Sequence, residues 1–293
     1  MTKTLKILAT VSFAAFSASA FADLDIRVTQ SQISTQPIAV VPFAGPADVP
    51  VDIAQVVDAD LARSGLFRTL NRADMLEKPS GPGQVDYRNW RTVGMDDLVI
   101  GQVRPDNAGF GTRFYLLDVY RGEQLLAYDI PAAPANALRY VGHQIADLIY
   151  QKLTGTPGYF NTQIAYISVT GPVYGQRWQL IVADSDGENP HIIATAKEPL
   201  MSPSWSPDRK RLAYVGYEHS RSAIYLHTLA TGELRKFVFE RGINGAPAWS
   251  PDGRYLAVTL SFETNPDIFV VDVGTGARRR LTDSSAIDTE ATW

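Results

Sequence analysis

Two stretches of the chain carry apolar residues at helical spacing. Between Val51 and Leu66, the residues Ile53, Val56, Val57 and Leu61 fall on one face, and Ser64-Gly65 closes the run. Between Pro134 and Leu153, a longer stripe of Leu138, Val141, Ile145, Leu148, Ile149 and Leu153 does the same, and Gly155 stops it. Around them lie short apolar runs with strand character: "PIAVVPF" (37–43), "DDLVIGQV" (96–103), "RFYLLDVY" (113–120) and "QLLAYDI" (124–130). The last follows a turn at Arg121-Gly122-Glu123. Helices alternating with strands predict a small α/β domain over residues 37–155.

From Thr156 the helical period disappears. Short β-branched and aromatic runs alternate with Gly, Pro and Asp turns, and Trp205, Trp249 and Trp293 recur every 44 residues. A period of this size with several strands per unit predicts propeller blades. One unit reads "APAWS", a tight Pro251-Asp252-Gly253 turn, "RYLAVTLS", "DIFVVDV", "GTG" and "ARRRLT". The turn has a physical basis: Pro presets φ, Asp bonds back to the backbone, and Gly supplies a positive φ. The unit before it reads "SPSWS", "KRLAYVG", "AIYLHTL", "ATGE", "LRKFVF", and an incomplete copy precedes both as "QIAYISV", "QLIVADS", "DGEN", "PHIIA". The repeated tryptophans are expected to pack between blades. Since propellers close with about 4–8 blades, the expectation is a partial β-propeller over 156–293, cut from a longer ring.

The first residues have the layout of an export leader. Lys3 and Lys6 precede an apolar stretch that begins at Ile7, and Ala20-Phe21-Ala22 offers a small-x-small cleavage site between Ala22 and Asp23. The apolar run is shorter than the ~20 residues a membrane span requires, so residues 1–22 are expected to be a signal peptide and no transmembrane span is expected. Removing Lys3 and Lys6 takes the formal charge from −4 to −6. That balance argues against nucleic acid as a partner. The basic cluster Arg278-Arg279-Arg280 reads as an exposed strand edge. With no cysteine, neither a disulfide, thiolate chemistry nor a lipidated cysteine is available. Residues 23–36, "DLDIRVTQSQISTQ", read either as a frayed tail or as a short segment that adds to another protein's sheet.

Catalytic chemistry is not legible. His143, His191, His219 and His227 show no metal-ligand spacing, so structural or solvated roles are expected. Neither a G-x-S-x-G elbow nor a phosphate-binding Gly loop is present. Asp184, Asp186, Gly187 and Glu188 form an incomplete calcium-loop pattern and read as a polar hairpin turn. No metal and no cofactor are expected. In a four-stranded blade, the connections between blades and the loops joining strands two and three share one end. The stretches 197–201, 217–222, 240–246, 262–266 and 283–290 therefore gather at one mouth. They carry Glu198, His219, Arg241, Asn244, Glu263, Asn265, Asp288, Thr289 and Glu290, and loops on a rigid scaffold are where binding concentrates.

The order of these features resembles the TolB family of the periplasmic Tol–Pal envelope system. The resemblance rests on the leader, "QPIAVVPF", "SPSWSPD", "NGAPAWSPDGRYLAVTLS", "NPDIFVVDV" and "AIDTEATW", and it covers essentially all of the chain after the leader. Two positions depart from the family pattern: Arg209 stands for Gly in the first Ser-Pro-Asp turn, and Ala291 for Pro near the last tryptophan. The resemblance implies a six-bladed propeller of which about half is present. It implies no catalysis and a Gram-negative periplasmic location. It also implies a role linking the outer-membrane lipoprotein Pal to the inner-membrane protein TolA, for envelope integrity and outer-membrane constriction during division. Pal would meet Asn244, Gly245, Ala246, Pro247, Thr289 and Glu290. The TolA C-terminal domain would meet Asp23, Leu24, Asp25, Ile26, Arg27 and Val28, with other envelope proteins as further partners. The alternative is the propeller of a secreted prolyl-oligopeptidase-like serine hydrolase with its catalytic domain missing.

Overall fold

The computed structural model describes residues 35–262 and 265–293. The leader, the Ala22/Asp23 junction, the segment Asp23–Val28 and Glu263 lie outside the described residues.

The α/β part is built on a five-stranded sheet in the order β2-β1-β3-β4-β5. Strand β1 (Gln36–Val40) lies inside the sheet and runs parallel to both its neighbours, β2 (Phe67–Thr69) and β3 (Asp97–Asp106). An antiparallel meander through β4 (Gly109–Asp118) and β5 (Glu123–Ala133) completes it. The unbroken apolar run of β1 follows from burial on both faces. Ile38 and Val40 enter the core shared with helices α1 (Ile53–Arg63) and α3 (Leu138–Thr154). Ala39 and Val41 enter a second core, closed by Trp90 of the short helix α2 (Tyr87–Thr92).

Local chemistry sets the helix ends. Asp52 caps α1 by accepting from the Gln55 amide at 3.0 Å. Gly155, with φ of 77°, ends α3 and donates to the Gln151 carbonyl at 3.0 Å. The two helices approach closely at Gly142, where a Cβ would fall 2.7 Å from that of Val56. This closeness seats His143 against α1.

Asp97, at the start of β3, is 3% exposed, and its Oδ2 accepts from Gln36 Nε2 at 2.5 Å. Burial pushes its carboxyl up to about 6. The folded chain therefore holds this proton more tightly than the unfolded chain. Stability from the protonated acid is complete below about pH 4 and is lost as pH rises through 6. Asp97→Asn is expected to raise stability by about 2 kcal/mol at pH 7 and by little at pH 4. Urea unfolding at the two pH values checks this, and an equal change at both would remove the ionised carboxylate as the cause.

Three blades follow. The first has three strands in the order β6 (Gln163–Thr170), β7 (Arg177–Asp184), β8 (His191–Ala196). The second is β9 (Leu200–Trp205), β10 (Arg211–Glu218), β11 (Arg221–Thr228) and β12 (Glu233–Val238). The third is β13 (Asn244–Trp249), β14 (Tyr255–Leu260), β15 (Asp267–Asp272) and β16 (Arg278–Arg280). Strand alternation splits β10 between two interfaces. Leu212 and Tyr214 face the first blade, while Ala213 and Val215 face the third around Trp249. Among the described residues, no strand pairs with the second edge of β6.

The Ser-Pro-Asp turns repeat atom for atom. Ser250 Oγ donates to Asp252 Oδ1 at 2.6 Å and accepts from the Tyr255 amide at 2.9 Å. Ser206 does the same toward Asp208 and the Arg211 amide, at 2.6 and 2.9 Å. The serine hydroxyl holds both aspartates below the usual carboxylate range. Arg209, in the glycine position of that turn, has a φ of 58°.

Candidate functional site: the loop face of the blades

The stretch ahead of each repeated tryptophan takes a left-handed turn at the same place. Ser202, Ala246 and Glu290 have φ of 49°, 47° and 56°, and they lie 44 residues apart, three positions before Trp205, Trp249 and Trp293. In the first two copies a proline follows, which cannot donate to the neighbouring strand. The register shifts there, between Met201 and Ser204 on β9 and between Gly245 and Ala248 on β13. The left-handed residue takes up the offset and turns the chain toward the mouth.

Asn244 fixes this geometry in the third blade. Its side chain is wholly buried. Oδ1 accepts from the Glu240 amide at 2.7 Å, and Nδ2 faces the carbonyls of Ser222, Glu240 and Gly242 at 3.0, 2.8 and 3.4 Å. Its own amide donates to Ser222 Oγ at 2.8 Å. The sequence reading placed the Asn244 side chain on a partner surface. The structure turns it inward, where it bonds four backbone groups, three in the connection between β12 and β13 and one at Ser222 of β11. Ala246 and Pro247 are likewise buried, and Gly245 is half-buried. Thr289 and Glu290 are exposed. Thr289 Oγ1 lies 3.1 Å from Thr259 Oγ1, which anchors it to β14.

Neighbouring loops are tied with similar care. Glu198 accepts from the amides of His219 and Ser220 at 3.1 and 3.3 Å. Asn265 donates to the Ser284 carbonyl at 3.0 Å, and the Asp288 amide donates to that of Pro266 at 2.9 Å. Arg221, Lys236 and Arg241 surround a pocket of about 540 Å³ together with Phe239 and Glu240. Phe239 and Ile243 stand exposed beside it. The β6–β7 hairpin contributes a tip that the sequence reading passed over. Tyr174 there is 95% exposed, between Gly171 and Gly175, both at positive φ. The signal was present in "GPVYG", an aromatic in a turn between two strands.

A larger cavity of about 620 Å³ opens among the residues near the Ser-Pro-Asp turns, lined by Arg211, Arg235 and Arg254. All three guanidiniums are occupied. Arg211 stacks on Trp249 at 4.7 Å, Arg235 donates to the Val273 carbonyl at 2.9 Å, and Arg254 pairs with Asp272 at 3.4 Å.

The four histidines differ in their surroundings. His143 is buried on α3, in contact with Asp60 and close to Asp186. His191 begins β8, His219 sits in the β10–β11 turn, and His227 is buried in β11, where burial pushes its imidazole down. No helix among the described residues is long and apolar enough to cross a membrane.

These features define an α/β domain joined to β-propeller blades, with its most elaborated surface on the loop face. Two family models match the chain, the TolB amino-terminal domain over residues 24–125 and the TolB beta propeller domain over residues 150–293. The chain belongs to the TolB family. It is 46% identical over 225 residues to the Tol-Pal system protein TolB of Methylococcus capsulatus, covering 77% of this chain and 53% of that protein. It is 44% identical over 249 residues to that of Nitrosococcus oceani, covering 83% and 57%. The crystal structure of TolB from Acinetobacter baumannii superposes with a TM-score of 0.80 at 37% identity, covering 88% of this chain and 63% of that one. The chain thus spans about half the length of the curated relatives it matches.

Proposed function

We propose that the chain is a non-catalytic protein-interaction component of the Tol–Pal system in the Gram-negative periplasm. In this reading the loop face docks the lipoprotein Pal, and the segment Asp23–Val28 docks the C-terminal domain of TolA. The protein then links the outer membrane to the inner-membrane complex, in support of envelope integrity and of constriction at division. The family membership supports this assignment, and one structural feature supports the surface. The buried Asn244 side chain holds the connection between β12 and β13, and exposed Thr289 is anchored by its hydroxyl to Thr259, so these parts of the face are held in shape before any partner arrives.

Calorimetric titration of the chain with the soluble domain of Pal tests the reading. Thr289→Ala and Tyr174→Ala are expected to weaken binding about fivefold and tenfold, with melting temperatures unchanged. Unchanged affinity in both variants would place the Pal surface elsewhere. If TolA engagement of the N-terminal segment shifts the hold on Pal, the two affinities must change by the same factor in either order of addition. Equal Pal affinity with and without the TolA domain would remove that coupling.

A further inference from the structure

The cavity of about 540 Å³ on the second blade lies between the start of β11 and the connection from β12 to β13. Its charges are unequal. Arg221, Lys236 and Arg241 line it, against Glu240 as its one carboxylate. Two further charges stand behind these. Glu218 pairs with Lys236 at 2.7 Å, and Arg278 pairs with Glu240. Four cations therefore meet two carboxylates, on a chain whose formal charge is −4. The guanidiniums of Arg221 and Arg241 make no hydrogen bond, ion pair or ring contact among the described residues. They differ in this from the three occupied arginines of the larger cavity. Lys236 is held in place by Glu218 and by the rings of Tyr225 and Phe239, at 6.0 and 5.7 Å.

The wall of the cavity holds unused donors as well. Ser222 is 9% exposed, and its Oγ accepts from the Asn244 amide at 2.8 Å. The hydroxyl hydrogen then meets no acceptor among the described residues. The amides of Arg241 and Gly242 are likewise unpaired there, although Glu240 and Ile243 on either side donate to Asn244 Oδ1 and Ser261 Oγ at 2.7 and 2.8 Å. Gly242 has a φ of 86°, and successive unpaired amides beside a left-handed residue are a recurrent anion-binding element. Asn244 fixes both walls, since its Nδ2 reaches the carbonyls of Ser222 and Glu240 at 3.0 and 2.8 Å. The cavity is therefore set in shape before anything enters it.

We propose that this cavity binds a phosphate group, with Arg221 and Arg241 as forked donors and Lys236 as the fixed charge. Guanidinium forks match the spacing of phosphate oxygens, and a clustered positive charge in a walled cavity favours an ion that carries more than one negative oxygen. The surroundings favour a phosphate carried by a lipid over one in solution. Phe239 and Ile243 stand exposed beside the cavity, where an aromatic ring and an aliphatic chain would enter the interface of a bilayer while the headgroup meets the arginines. Glu240 does not oppose this, because Arg278 already balances it.

Two measurements on the chain from Asp23 onward, which lacks the apolar leader, test the site and separate the two sources of phosphate. In the first, inorganic phosphate replaces chloride at constant ionic strength while the amide NMR signals of Ser222, Arg241 and Gly242 are followed. Saturable shifts are expected, and the double variant Arg221→Gln, Arg241→Gln should weaken them about tenfold. In the second, the chain is sedimented with phosphatidylcholine vesicles, with and without roughly one third phosphatidylglycerol. Binding confined to the phosphatidylglycerol vesicles, and about thirtyfold weaker in the double variant, assigns the phosphate to a lipid. Phe239→Ser should then weaken vesicle binding and leave the phosphate titration as it was. Phosphate shifts without vesicle binding assign the site to the free ion. Both arginines are exposed and unpaired, so the double variant should keep the melting temperature of the wild type. A wild type silent in both measurements, or a double variant equal to it in both, overturns the site. Binding of a poly-glutamate peptide in place of phosphate and vesicles would overturn it too, and would give the arginines to an acidic protein segment. Neither measurement contains Pal, so the outcome is separate from that of the Pal titration.

Discussion

Trp249→Ala is expected to cost about 3–5 kcal/mol of stability, the largest effect of any single substitution considered for the blades. The indole is 7% exposed and lies in the apolar cluster between the second and third blades, among Val215, Leu226, Leu256 and Val271. Its Nε1 donates to the Ser204 carbonyl at 3.2 Å, and the Arg211 guanidinium covers the ring at 4.7 Å. Alanine empties that volume and leaves the carbonyl unpaired. Trp249→Phe keeps most of the packing and loses the bond, so it should cost about 1–2 kcal/mol. The repeat supplies an internal control. Trp205 holds the same position one blade earlier, yet its Nε1 is buried without a partner among the described residues. Trp205→Phe removes a donor that is already unsatisfied, and should cost clearly less than Trp249→Phe. Urea unfolding of the variants measures all of this. Equal costs for the two phenylalanine variants would show that the indole bond does not distinguish the blades.

The contrast between these tryptophans shows what periodicity conveys and what it omits. Spacing placed Trp205 and Trp249 at blade interfaces, because a large apolar residue repeated every 44 positions on strands has few other uses. It could not show which copy has a carbonyl opposite its N–H, since that depends on the neighbouring blade. The long elements were legible for similar reasons. α1 and α3 have stripes of four or more apolar residues, and β1 has an apolar run that only two-sided burial explains. β2 and α2 were not legible. Three residues carry no period, and "YRNWRT" offers one apolar anchor, Trp90.

The loop face was legible in outline only. The reading of strand order put together loops that hydrogen bonds join, Glu198 with His219 and Asn265 with Ser284. It could not separate Asn244 from Thr289, because an asparagine in a loop looks the same whether it binds solvent or backbone. The left-handed positions at Ser202, Ala246 and Glu290 do share a spacing with the tryptophans, but their side chains have nothing in common. At Ser202 and Ala246 the conformation goes with the break in the ladder and not with residue type. The contact between His143 and Asp60 was hidden for a different reason. Asp60 and His143 are 83 residues apart in the chain, and only the packing of α1 on α3 at Gly142 brings them together.

Asn244→Ala is expected to lower stability by about 2–3 kcal/mol and to reduce Pal affinity at least tenfold if the loop face is the docking surface. The two losses have one cause. Without the amide, the Glu240 amide and the carbonyls of Ser222, Glu240 and Gly242 lose a buried partner, and the connection between β12 and β13 is released. Asn244→Asp discriminates this account from simple loss of volume. The side chain is nearly isosteric, but a carboxylate oxygen would replace the donating nitrogen that faces three carbonyls. It should therefore cost at least as much as alanine at pH 7, and less as the acid is protonated. Thr289→Ala provides the opposite pattern, a loss of affinity with little loss of stability, because Thr289 is exposed and anchored by a single hydroxyl contact. Thermal unfolding and calorimetry on the same three variants separate a residue that builds the face from one that forms it. An Asn244→Asp variant as stable as the wild type would mean that the amide donor does not hold the loop.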